Sequence, residues 1–130
     1  MKRFFDLSII LLLIFTITLT ACQGEIRSAA AAPSALMGDP ATGQSLFMST
    51  CAACHGPDGR GLPGLGKNLV ESEFVAVKNN PELVEFIKAG RNAADPLNTT
   101  GITMPPKGGK ASLTDEDLYH IVAYLRSIHK

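Results

Sequence analysis

Toward the end of the chain apolar side chains recur at helical spacing: Leu118, Ile121, Val122, Leu125 and Ile128 fall on one stripe. Thr114 precedes them with Asp117 three positions on, so hydroxyl and carboxylate can satisfy each other's free amides, and Leu113 and Leu118 stand where a hydrophobic staple belongs. A second helix is predicted over about 81–89, with Asn80 as cap, Glu82 near the positive end, Leu83, Phe86 and Ile87 along one side, and Gly90 as the stop. Asp39-Pro40 predicts the start of an earlier helix carrying Leu46 and Phe47. Gly43 and Phe47 are four apart and share a face, so the glycine admits a close neighbour beside the ring. Residues 74–77 predict a further short turn. No alternating strand pattern and no internal repeat is visible, so the fold class is all-α.

Before Asp39 the pattern changes. Lys2 and Arg3 are followed by an uncharged apolar run over 7–19, which predicts a signal peptide over 1–21. The run is broken by Thr16 and Thr18, and a membrane span asks for about twenty apolar residues. Leu19-Thr20-Ala21-Cys22 resembles a bacterial lipobox, which implies cleavage before Cys22 and lipidation of its thiol. The competing reading is an uncleaved anchor in which Cys22 has no role. Gln23 follows the cysteine where aspartate would signal inner-membrane retention, which favours an outer membrane if the cell has one. Residues 22–38, rich in Ala, Ser, Gly and Pro, read as a lipid-anchored flexible tether, the alternative being a marginal alanine helix. The expected folded domain is 39–130.

The 130-residue chain carries 12 basic and 12 acidic residues, and removing Lys2, Arg3 and Asp6 with the leader leaves ten against eleven. No basic excess or stripe points to nucleic acid. So small a domain buries a modest core and gains much from a large apolar cofactor at its centre. Three cysteines are an odd number for an exported chain, but Cys22 stands at the end of the leader as the lipidation site and the other two belong to a motif.

That motif is Cys51-Ala52-Ala53-Cys54-His55, C-x-x-C-H, the attachment sequence of c-type haem. At a helix end both thiols lie on nearly one side, within reach of two vinyl groups, while the histidine offers its imidazole to the iron. A thioredoxin-type redox pair or half a zinc site is the alternative. Against them stand the absence of a βαβ pattern, the absence of a second cysteine pair, and export. Residues 56–66 hold five glycines and two prolines, which let backbone approach a flat ligand closely. Among the methionines, Met1 leaves with the leader, Met37 lies in the tether, and Met48 shares the short helix of the cysteines. Met104 remains as the second axial ligand, in a segment stiffened by Pro105 and Pro106, although methionine also fills gaps in cores. His120 and His129 are the competing ligands, but His120 falls opposite the apolar stripe and His129 lies one residue from the end, so both are expected to face water.

Together Gly43, Phe47, Cys51-Ala-Ala-Cys-His55-Gly56, Met104-Pro105 and Ile121-Val-Ala-Tyr124-Leu125 resemble class I c-type cytochromes over 39–130. The resemblance implies a small cytochrome c fold in which the first and last helices cross near Gly43, Phe47, Tyr124 and Leu125 around one haem, with His55 below the iron and Met104 above. It also implies that Lys107 and Lys110 lie near an exposed haem edge. One departure concerns the backbone carbonyl that orients the histidine: where the family often has Gly-Pro-x-Leu, this chain has Gly66-Lys67-Asn68-Leu69. The function implied is that of a membrane-tethered, extracytoplasmic carrier of single electrons between redox protein partners, not an enzyme, with no small-molecule substrate expected. A haem enzyme or gas sensor with an open iron position, and a haem subunit of a larger oxidoreductase, are the alternatives.

Overall fold

A computed structural model describes residues 37–130; the leader, Cys22 and the tether up to residue 36 lie outside the described residues. In chain order the helices are α1 (Pro40–Thr50), α2 (Ala52–His55), α3 (Glu73–Val77), α4 (Asn80–Ala89) and α5 (Asp115–Ile128), with a short 3₁₀ turn, Pro106–Gly109, before the last. Among the described residues no strand forms, and only two isolated bridges, Leu62 with Gly66 and Arg91 with Met104, interrupt the loops.

Caps start the helices where hydrogen-bonding side chains meet free amides. The Asp39 carboxylate accepts from the Thr42 amide at 2.7 Å, and Pro40 follows in the first turn. Thr114 and Asp117 form the reciprocal box expected of them, and the hydrogen bonds from Thr114 hold the Asp117 carboxyl below its ordinary range. At α4 the boundary moves by one residue: the cap is Asn79, whose side chain accepts from Glu82 while Glu82 accepts from the Asn79 amide. Asn79 wins over Asn80 because Glu82 stands three positions beyond it, the spacing a reciprocal box requires.

The largest helix interface joins α1 to α5. It depends on Gly43, where an added Cβ would stand 1.8 Å from the His120 carbonyl oxygen. One turn further, fully buried Phe47 packs on Tyr124 with ring centroids 5.3 Å apart and a tilt of 54°. Leu118, Ile121 and Val122 of α5 and Leu83, Val84 and Ile87 of α4 complete the core. From α5, Arg126 reaches back to donate to Asn80 Oδ1 at 3.0 Å and to the carbonyls of Val75 and Lys78, which holds α3 and the start of α4 in place.

Neither of the last two histidines faces open water. His120 is half-buried because the helices touch at Gly43, and its Nδ1 accepts from the Asp39 amide at 2.7 Å. His129 is likewise half-buried, its Nε2 donating to the Ser72 carbonyl at 3.0 Å. Both rings therefore join distant parts of the chain.

Gly43→Ala forces a methyl group into backbone that cannot yield without parting the helices. We expect it to cost about 2 kcal/mol or more, as overpacked sites do, read as a lower guanidinium midpoint with an unchanged slope in far-ultraviolet circular dichroism.

Candidate functional site

At the end of α1 the chain makes a second, single-turn helix. The Cys51 amide still bonds to the Phe47 carbonyl at 2.7 Å, while the Cys54 and His55 amides bond to the Cys51 carbonyl at 3.1 and 3.0 Å. Gly56, with φ of 73°, stops the turn. The tightness of α2 places Cys51, Cys54 and His55 on the wall of one cavity, together with Met104 from the far side of the sequence. All four expected site residues are thus brought together; Cys22 lies outside the described residues.

The loop after His55 folds back under it. Gly61 donates to the His55 carbonyl at 2.7 Å, Leu69 donates to Gly59 at 2.7 Å, and Gly66 lies so close to the Cys54 carbonyl that a Cβ there would be 2.2 Å away. This brings the Lys67 carbonyl to 2.9 Å from His55 Nδ1. With Nδ1 as donor, Nε2 is the nitrogen left with a free lone pair, the state in which imidazole binds a metal. The orienting carbonyl that the sequence left open belongs to Lys67, in the position where the resembled family often has proline.

Met104 is pinned from both sides of its peptide. Its amide donates to the Arg91 carbonyl and its carbonyl accepts from the Arg91 amide, both at 2.9 Å, which ties the methionine to the end of α4. Gly90, at φ of +70°, permits this approach, since a Cβ there would lie 2.3 Å from the Met104 oxygen. Pro105 continues in extended conformation, and Lys107 turns left-handed at φ of 52°. The Lys107 ammonium bends inward to donate to the Leu113 carbonyl at 2.6 Å, so it fastens the loop to the start of α5. Met48 is 48% exposed on α1 and is not part of the cavity wall.

The cleft is open to solvent, and its atom-free space amounts to about 1260 Å³ with the solvent at its mouth included. Phe47, Leu69, Phe74, Val75, Leu83, Phe86, Ile87, Ile121 and Leu125 make its walls apolar, and Lys67, Arg91 and Asn98 add polar groups. Burial, with the neighbouring Cys54 adding to it, pushes the Cys51 thiol up to about 11. A redox dithiol needs its attacking sulfur shifted the other way. Among the described residues no three His, Cys, Asp or Glu side chains gather as a metal cluster. Arg91 and Asn98 were not singled out in the sequence; the signal for Arg91 is long-range, since Phe74, which its guanidinium covers, lies seventeen positions earlier.

A family model described as cytochrome C oxidase, cbb3-type, subunit III, matches residues 38–125. The chain belongs to this family of c-type cytochrome domains. It is 32% identical over 87 residues to cytochrome c-555 of Chlorobaculum tepidum, covering 67% of this chain and 74% of that one. To cytochrome c-554(548) of Halomonas halodenitrificans it is 33% identical over 90 residues, 69% of this chain and 96% of the relative. To the cbb3-type cytochrome c oxidase subunit CcoP of Rubrivivax gelatinosus it is 32% identical over 97 residues, which are 72% of this chain but only 28% of that subunit. No solved structure matches the chain. This cytochrome carries covalently attached haem c. The residues present fit that group: an apolar cleft with both thiols on its wall, a histidine with one nitrogen committed and one free, and a buried guanidinium N–H without an acceptor among the described residues.

Gly66→Ala puts a methyl group against the Cys54 carbonyl and pushes the attachment turn away from its loop. We expect a lower fraction of chains with covalent haem, measured by haem-stained gels against total protein, while the start of α1 and α5 remain helical.

Proposed function

We propose that the mature chain is a lipid-anchored monohaem electron carrier, passing single electrons between extracytoplasmic redox proteins. The observation that carries the reading is the convergence of Cys51, Cys54, His55 and Met104 on one apolar cavity, with His55 oriented by Lys67 and Met104 pinned by Arg91. In this reading Cys51 and Cys54 form the thioethers, and His55 and Met104 are the axial ligands. Haem bound there supplies a one-electron couple, and a Met/His pair places its potential high. The protein's own part is to hold the ligand side chains rigid, exclude water with the apolar walls, and leave the mouth of the cleft near the surface.

The proposed division is a signal peptide over 1–21, a tether over 22–38 anchored through Cys22, and a cytochrome domain over 39–130. No helix among the described residues is long and apolar enough to cross a membrane. Two or more acyl chains on Cys22 would hold the protein on a bilayer surface. The resemblance to CcoP supports a second reading, a haem subunit within a larger oxidoreductase. Copurification of a stable partner complex from detergent extracts separates that reading from a free carrier.

Met104→Ala tests the ligand assignment. The oxidised parent should show the weak near-infrared sulfur-to-iron band and, when reduced, bind carbon monoxide poorly; the variant should lose the band, fall in potential and bind carbon monoxide readily. A parent that lacks the band and takes up carbon monoxide would move the open-iron enzyme or sensor ahead of the carrier.

Cys22→Ala tests the anchor. We expect covalent haem to be retained and the protein to leave the membrane fraction. Retention of the variant in the pellet after an alkaline wash would overturn lipid anchoring.

A further inference from the structure

Inside the cleft, Arg91 presents a nearly buried guanidinium. Its side chain is 12% exposed, and its guanidinium carbon lies 4.9 and 4.7 Å from the ring centroids of Phe74 and Phe86. Two aromatic faces hold the cation in a fixed plane and remove it from water. Nη1 donates to the Leu97 carbonyl at 3.2 Å, while buried Nε finds no hydrogen-bond acceptor among the described residues. The nearest carboxylate, Asp95, stands 3.7 Å from Nε and uses its other oxygen to accept from the Leu97 amide at 2.7 Å.

A second cation converges on the same place. Lys67 Nζ donates to that same Leu97 carbonyl, also at 3.2 Å. Two positive charges therefore share one neutral oxygen at the wall of an apolar cavity. Asn98 is already committed: its amide nitrogen donates to the carbonyls of Asn92 and Ile102, and its oxygen accepts from Thr100 and Gly101. A buried donor without an acceptor beside a poorly shared pair of cations is relieved by one carboxylate, which the flat guanidinium fork matches in shape.

We propose that Arg91, with Lys67 beside it, is the binding site for a propionate carboxylate of the haem, Arg91 Nε being the principal donor. This rests on the haem reading above and deepens it. Lys67 occupies the position where the resembled family often has proline, so the second charge is a feature of this chain. A propionate neutralised by these cations stabilises the oxidised iron less, and the pairing raises the reduction potential.

The test uses the full holoprotein and its Arg91→Gln, Arg91→Lys and Lys67→Gln variants, each first checked for covalent haem by its pyridine haemochrome. Resonance Raman spectra then report the propionate-bending band, and redox titration reports the midpoint. Arg91→Gln should move the band and lower the midpoint, Arg91→Lys should move the band but keep most of the midpoint, and Lys67→Gln should give a smaller shift of both. A band unmoved in haem-loaded Arg91→Gln would overturn the proposal whatever happens to stability, leaving Arg91 as a clamp on Leu97. Should Arg91→Gln fail to accumulate, an unmoved band in both Arg91→Lys and Lys67→Gln overturns it equally. A parent without a haemochrome would instead sink the haem reading itself.

Discussion

The structure hangs on the approach of α1 to α5 at Gly43. Without a side chain there, the α1 backbone rests against the His120 carbonyl, and that contact fixes the direction in which α1 runs. Everything after it follows. Phe47 reaches Tyr124 only at that separation, the Asp39 amide meets the His120 ring, and α1 delivers its last turn, with Cys51, to the edge of the cleft. A helix pair set even slightly wider would leave the thiols pointing at solvent or the ring of Phe47 without a neighbour.

The cleft and the core are the same object seen from two sides. Phe47, Leu83, Ile87, Ile121 and Leu125 belong both to the buried cluster and to the cavity wall. In a domain this small such sharing is economical, because apolar surface that side chains alone cannot cover is covered by the prosthetic group. It also means that the packing of the core and the shape of the cleft cannot be altered independently at these positions. The glycine loop is fastened by hydrogen bonds between backbone groups, and the segment from Arg91 to Met104 by the paired backbone bonds at its two ends and by the Asn98 side chain between them, with Met104 resting on the core.

What was legible in the sequence was what short-range rules govern. The stripe and capping box of α5 and the Asp39-Pro40 start depend on residues within a few positions of one another, as does the tight turn that carries Cys51, Cys54 and His55. What was not legible depends on residues brought together by folding. His120 reads as a polar face until α1 is laid against it, and Arg91 reads as an ordinary surface cation until Phe74 and Phe86 close over it. The cap of α4 slipped by one residue because two asparagines adjoin and only the partner at Glu82 chooses between them. The group orienting His55 was invisible for another reason: it is a peptide oxygen, which every residue type possesses.

That last fact separates two kinds of freedom at position 67. The oxygen that holds the imidazole is supplied by the main chain, and its direction is set by the glycine-rich loop, not by the lysine side chain. The side chain, four carbons away, reaches toward the Leu97 carbonyl. Ligand geometry and local charge are therefore inherited through separate channels of one residue. Mutation can redraw the local electrostatic landscape while the imidazole keeps its bearing, so this position is a dial that protein lineages, or protein engineers, can turn without disturbing the ring it orients.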